Sequence, residues 1–322
     1  MHSLPRIIFY GTPEFAVPSL DILVQNHLPV VAVVTAPDKP AGRGQKILHS
    51  PVKEYALKNN LPVLQPTNMK DPAFLEDLER LSPELQIVVA FRMMPERVWS
   101  LPAMGTFNLH ASLLPQYRGA APINWAIING EQESGITTFL LQKEIDTGRI
   151  LFQEKVPITK TDTAGHLHDK LMDAGAKLVL KTVQAIVDKK INPLDQAGLL
   201  KGTELKSAPK LNSVNTRIDI HQTAEQVYNH IRGLSPYPSA HAELFNPQSG
   251  VSFTIKIYNS EFENAVHDKH AGVLETDNKS YLKLYLRKGI VYIKELQLSG
   301  RNRVTVKDFL NGFKLNGDWH LR

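Results

Sequence analysis

The chain has 322 residues and no cysteine. Disulfides, thiolate metal sites and thiol nucleophiles are therefore excluded. No Gly-x-Ser-x-Gly stretch is present, which removes the nucleophile elbow of an acyl-serine hydrolase. "GTPEFA" (11–16) follows a strand-like run and opens a helix, but it lacks the Gly-x-Gly-x-x-Gly spacing, so a dinucleotide cofactor is disfavoured. No apolar run approaches the roughly 20 residues of a membrane span. "MHSLPRIIFYG" enters a strand pattern almost at once, leaving no room for a signal or transit segment. Together these absences lead to the expectation of a cytoplasmic protein with no membrane partner.

What is present bounds the answer further. Apolar residues make up 42%, ample for a core, and the length favours two domains. The net charge of +5 is uneven: residues 1–190 carry 20 basic and 19 acidic side chains, whereas residues 281–322 carry nine and three. A basic C-terminal stretch suits a polyanion such as nucleic acid, or simply a well-solvated surface, and charge alone favours the second.

"RIIFYG" (6–11), "PVVAVVT" (29–35), "QIVVAF" (86–91) and "GTFNLH" (105–110) are apolar runs without alternation. Such runs suit parallel strands buried on both faces. Helix-like stretches at 14–25, 51–59 and 71–81 lie between them, so a doubly wound, mostly parallel α/β sheet is expected. "SGITTFLL" and "RILFQEKVPI" read as two more strands around the polar turn "QKEIDTG". A long amphipathic helix follows at 161–190, with Thr161 or Asp162 as its expected N-cap. Residues 191–207 lack any period and read as a linker. From 208 to 322 there is a helix at 223–234, then "SFTIKIYNSEF", "YLKLYLRKGI" and "VYIKELQL", then a last helix in "TVKDFLNGF". That pattern predicts a small antiparallel barrel.

Asn108 and His110 stand two apart at the end of a strand. Their side chains share one side, and ligands of open parallel sheets bind outside such strand ends. A lone histidine is more often a satisfied structural residue, but the sharp stop at Ser112-Leu113-Leu114-Pro115 places this pair at a cleft rim. "EIDTG" adds Asp146 in a tight turn. By itself it is an ordinary turn aspartate; folded over the same strand ends, it would orient His110. Asn, His and Asp suit acyl transfer to an amine without a covalent intermediate, with Asn108 and His110 stabilising the oxyanion and Asp146 helping to move a proton. "DKPAGRGQK" (38–46) reads either as a surface loop or as a basic finger that orders on a phosphate backbone. His166 and His168, two apart on a helix, do not share a face and predict no metal site.

These segments resemble the methionyl-tRNA formyltransferase family. "FNLHASLLPQYRGAAPINWAI" and "EIDTGRILF" carry the likeness, with "GTPEFAVPSL", "DKPAGRGQK", "SPVKEYA", "IRGLSPYPSAHAEL" and "VKDFLNGF" in the expected order along nearly the whole chain. The resemblance implies a Rossmann-like formyltransferase domain over 1–190, a linker over 191–207 and an OB-like barrel over 208–322. It implies 10-formyltetrahydrofolate as co-substrate, no metal, and initiator methionyl-tRNA as partner of a monomeric enzyme. Catalytic roles carry over to Asn108, His110 and Asp146, folate contacts to Ser112, Leu113, Leu114 and Pro115, and tRNA contacts to Arg43, Lys46 and Lys210. Lys283, Arg287, Lys288, Lys294, Arg301, Arg303 and Lys307 are further candidates on the barrel. One departure is "VVAFRMMPERVW" (88–99), where Arg92 and Met93 replace small or apolar positions near the folate pocket. Formyl transfer to a small amine, and an RNA-binding protein on an inactive enzyme fold, are the alternatives; the basic C-terminal part speaks against the first and the intact Asn-His-Asp set against the second.

Overall fold

The computed structural model describes residues 4–41, 46–199, 202 and 204–322. The chain divides into two compact units that interleave in sequence. The first comprises Met1–Gly119, Ser134–Val156 and His168–Ser207; the second comprises Ala120–Glu133, Pro157–Leu167 and Ala208–Arg322.

The first unit holds a seven-stranded sheet in the spatial order Val63–Leu64, Val30–Val34, Ile7–Gly11, Leu85–Val89, Thr106–His110, Glu133–Leu140, Ile150–Pro157. The first five are parallel, and Glu133–Leu140 joins Thr106–His110 antiparallel. The expected layer architecture is therefore present. Ile7–Gly11 and Leu85–Val89 are buried at every position, which is why their sequences run apolar without alternation. The strand order reverses between these two, so the crevice of the doubly wound sheet opens at their carboxyl ends, next to Thr106–His110. Helix starts follow local chemistry. Ser50 Oγ accepts the Lys53 N–H and Asp71 Oδ1 accepts the Ala73 N–H, each followed by proline at the first helical position.

The second unit is built on an antiparallel sheet in the order Leu274–Thr276, Leu282–Tyr285, Ile290–Leu298, Ser252–Glu263, Ala240–Phe245, His320–Leu321. A Val273–His320 bridge links its two ends, so the sheet is nearly closed into a barrel. The core is aliphatic, with Ile255, Ile257, Leu284, Val291, Ile293 and Leu296 almost fully buried. The helix Ala224–Leu234 packs onto this core through Val227 and Ile231, and starts at a capping box between Thr223 and Gln226.

The long helix runs over Ala164–Val187, and its N-cap differs from expectation. His166 N–H donates to Thr163 Oγ1 at 3.2 Å. Asp162, one residue too early for that geometry, accepts the Thr159 N–H instead. No helix among the described residues is long and apolar enough to cross a membrane.

Candidate active site

His110 ends the strand Thr106–His110 and is 6% exposed. Its Nε2 lies 2.9 Å from the Tyr117 carbonyl oxygen. A carbonyl can only accept, so Nε2 carries a hydrogen, and Nδ1 is left as the nitrogen open to proton chemistry. Nδ1 faces Asp146 Oδ2 at 3.8 Å. Asp146 is held from the same short segment: Gly119 N–H donates to its Oδ2 at 3.0 Å. The structure thus brings His110 and Asp146 together, tied respectively to the carbonyl and the amide of residues 117 and 119. Tyr117 and Asp146 both adopt left-handed backbone, at φ 59° and 55°, a conformation that non-glycine residues keep only where neighbours enforce it.

Asn108 is half-buried two residues before His110. Its carboxamide has no hydrogen-bond partner among the described residues, so its donors remain available at the strand end. The turn carrying Asp146 is closed by Thr147 Oγ1 donating to the Glu144 carbonyl. Gly148 permits the next step of the chain, because a Cβ there would lie 1.7 Å from the Leu140 carbonyl oxygen.

The Ser-Leu-Leu-Pro segment is mostly inward-facing. Ser112 is fully buried, and its hydroxyl donates to the Gln116 carbonyl at 2.6 Å. Leu114 packs with Phe139 and Ile150, and its N–H donates to Thr137 Oγ1. Pro115 is buried, and Leu113 alone of the four is half-exposed. Arg92 folds back, with Nη1 and Nη2 donating to the carbonyls of Thr67 and Pro66, whereas Met93 is 75% exposed.

Of the residues expected to meet tRNA, Arg43 and the Lys46 side chain lie outside the described residues. The backbones of Lys39–Ala41 and Lys46–Leu48 flank that gap and pair antiparallel. Just before them, the Lys53 ammonium, then the Gln65 amide and His49, hold the Asp38 carboxyl down at about 2. Lys210 is exposed and belongs to the second unit. On the barrel, Lys283, Lys294 and Arg303 are ion-paired with Glu275, Glu261 and Glu295. The side chains of Arg287, Lys288, Arg301 and Lys307 are exposed and unpaired among the described residues. A cavity of about 430 Å³ lies within the second unit, lined by Trp125, Arg217, Gln226 and His230 among others, and holds none of the strand-end residues. No group of three or more metal-ligating side chains occurs among the described residues.

Sequence reasoning missed Gln196. It falls in the stretch read as a linker, yet it is 1% exposed and hydrogen-bonded to both Arg118 and the Asp146 turn. Only the apposition of distant segments reveals it.

Comparison with known proteins identifies the family. A formyl transferase family model matches residues 5–183, and a formyl transferase C-terminal domain model matches residues 210–314. The methionyl-tRNA formyltransferase of Bacteroides thetaiotaomicron is 51% identical over 316 residues, covering 98% of each chain. Among solved structures, a sugar 3N-formyltransferase crystallised with dTDP and 5-N-formyl-THF aligns with TM-score 0.66 and 22% identity, over 93% of this chain and all of that one. An N-formyltransferase from Helicobacter canadensis, in complex with folinic acid and dTDP-3-aminofucose, aligns with TM-score 0.65 and 23% identity, over 90% and 98%.

Proposed function

The chain belongs to the methionyl-tRNA formyltransferase family, and from that premise we propose a mechanism in which Asn108, His110 and Asp146 serve transfer of a formyl group to the methionine α-amino group of initiator methionyl-tRNA. 10-Formyltetrahydrofolate supplies the formyl carbon as co-substrate. The residues fit such a donor, because the half-buried Asn108 carboxamide has no internal partner and offers its N–H to a formyl oxygen. The α-amino nitrogen attacks the formyl carbon, a C–N bond forms, and the carbonyl oxygen becomes an oxyanion. Asn108 donates to that oxyanion. His110 in its protonated form keeps Nε2–H on Tyr117 and donates from Nδ1. Asp146, beside Nδ1, orients the ring, balances its charge and takes the proton released by the amine. Cleavage of the bond to N10 completes the transfer as that nitrogen regains a proton.

The observation that carries this reading is the shared anchoring of His110 and Asp146 on residues 117–119. We assign folate contact to the Ser112–Pro115 side of the first unit, chiefly through Leu113. Contacts to tRNA fall to Arg43, Lys46 and Lys210 and to the unpaired barrel cations, in a monomer acting in the cytoplasm. The test is incubation with 10-formyltetrahydrofolate and charged initiator tRNA, scored for formylmethionine, with glycinamide ribotide and an amino-sugar nucleotide in parallel. Formylation of a small amine without formylation of the tRNA refutes the assignment.

A further inference from the structure

Gln196 lies in a short 3-10 turn, Gln196–Leu199. It is brought to the catalytic turn by paired backbone hydrogen bonds of 2.8 Å between Leu194 and Ile150. Its Nε2 donates to the Asp146 carbonyl at 2.9 Å and to the Gly148 carbonyl at 2.7 Å. Its Oε1 accepts from Arg118 Nη2 at 2.6 Å and Nε at 3.2 Å. The orientation of the amide is fixed by chemistry, since a guanidinium only donates and the two carbonyls only accept. Every donor and acceptor of this buried side chain is therefore used.

The contacts close a ring. Gln196 holds the Asp146 backbone, Arg118 holds Gln196, and the next residue, Gly119, holds the Asp146 carboxylate. The residue before Arg118, Tyr117, holds His110. Asp146 sits in left-handed backbone, which needs such support. We infer that Gln196 and Arg118 are positioning residues for formyl transfer, a clamp that fixes where the Asp146 carboxylate stands relative to His110. The inference rests on the proposed role of Asp146.

The test is a double-mutant cycle in the full-length chain, with 10-formyltetrahydrofolate and methionyl-tRNA as substrates. Gln196→Met keeps length and removes the hydrogen bonds. It is expected to lower kcat by about 10–100-fold, the scale of a small displacement of a reacting group, with KM for both substrates nearly unchanged. In an Asp146→Asn background the same substitution is expected to change kcat by less than about threefold, because residues acting through one another are not additive. Arg118→Lys, at a half-exposed position, keeps the charge and loses the fork. It is expected to show a smaller loss with the same dependence on Asp146, and it serves as the probe should Gln196→Met fail to fold. Equal losses in both backgrounds, or an unchanged kcat, overturn the clamp. Asp146→Asn with wild-type turnover overturns instead the reading on which it rests.

Discussion

Alanine at position 148 would put a methyl carbon 1.7 Å from the Leu140 carbonyl oxygen, where ordinary contact begins near 3.4 Å. The backbone of Gly148 is not left-handed, so space alone forbids the side chain. One partner must retreat by roughly 1.7 Å to restore van der Waals contact. Leu140 is held by the ladder to Phe107 and by its N–H on the Arg149 carbonyl, so the turn yields and carries Asp146, two residues away, with it. The 3.0 Å bond from Gly119 N–H to Asp146 does not survive a shift of that size. Misplacement by an ångström costs about 100-fold in rate, or about 2.7 kcal/mol of barrier. Overpacking costs about 1–3 kcal/mol of stability, less than a total of about 5–15 kcal/mol, so the chain stays folded with Tm lowered by about 2–12 °C. The assay is steady-state formylation with tRNA varied at saturating formyl donor, alongside thermal melts. Gly148→Ala should lose kcat by about 100-fold with a folded chain. Gly312→Ala, with nothing within 4 Å of its Cβ, should leave the rate unchanged. A Gly148→Ala enzyme with wild-type kcat and melting would refute the claim that the turn's position governs the chemistry.

His110→Ala should keep folate affinity and lose about 10²–10⁴ in kcat, as for a missing oxyanion donor or acid–base group; near-normal turnover would sink the mechanism. Replacing Arg287, Lys288, Arg301 and Lys307 together by glutamine should lower the slope of log K against log salt for tRNA binding by up to about 3.6, given about 0.9 counterion released per phosphate contact. The same change at the ion-paired Lys283, Lys294 and Arg303 should lower it less, and equal slopes would place tRNA elsewhere. Asp38 titrates at about 2 in the folded chain against 3.8 ordinarily. Its stabilising contribution is therefore complete above the ordinary value and lost as pH falls through about 2. Denaturant melts of Asp38→Asn should fall below wild type near neutrality and converge with it at pH 2, and a gap of the same size at both would contradict the linkage.

The parallel strands were legible because a strand buried on both faces must be apolar throughout, as Ile7–Gly11 and Leu85–Val89 are. Strands of two residues, Val63–Leu64 and His320–Leu321, carry no period and were not legible. Ala240–Phe245 alternates in burial, but two of its three inward residues are alanines, which signal strand weakly. His110 and Asp146 stood out because their residue types announce proton chemistry, and Asn108 because it offers amide donors two residues before His110 at the same strand end. Gln196 did not, since its partners lie 48 to 78 residues away and nothing local distinguishes it from a solvated glutamine. The Ser112 hydroxyl, spent on Gln116, and the glutamates neutralising part of the basic barrel, are pairings that a tally of side chains does not contain.

The interleaving of the two units makes the barrel a poor candidate for a portable module. The chain passes between the units near residues 120, 134, 157, 168 and 208, so no single cut releases the second one whole. A fragment beginning at 208 would lack the helix Pro122–Ile128, whose Asn124 donates to the Gly233 carbonyl. It would also lack the 157–167 segment, whose Asp162 carbonyl accepts from the buried Arg232 guanidinium at 2.8 Å. That guanidinium would lose an acceptor it has in the whole protein, and burial already pushes its pKa down. Gene fusions or domain transplants that respect only linear order would therefore cut through the second unit. A functional swap between relatives has to exchange three separated stretches of sequence at once.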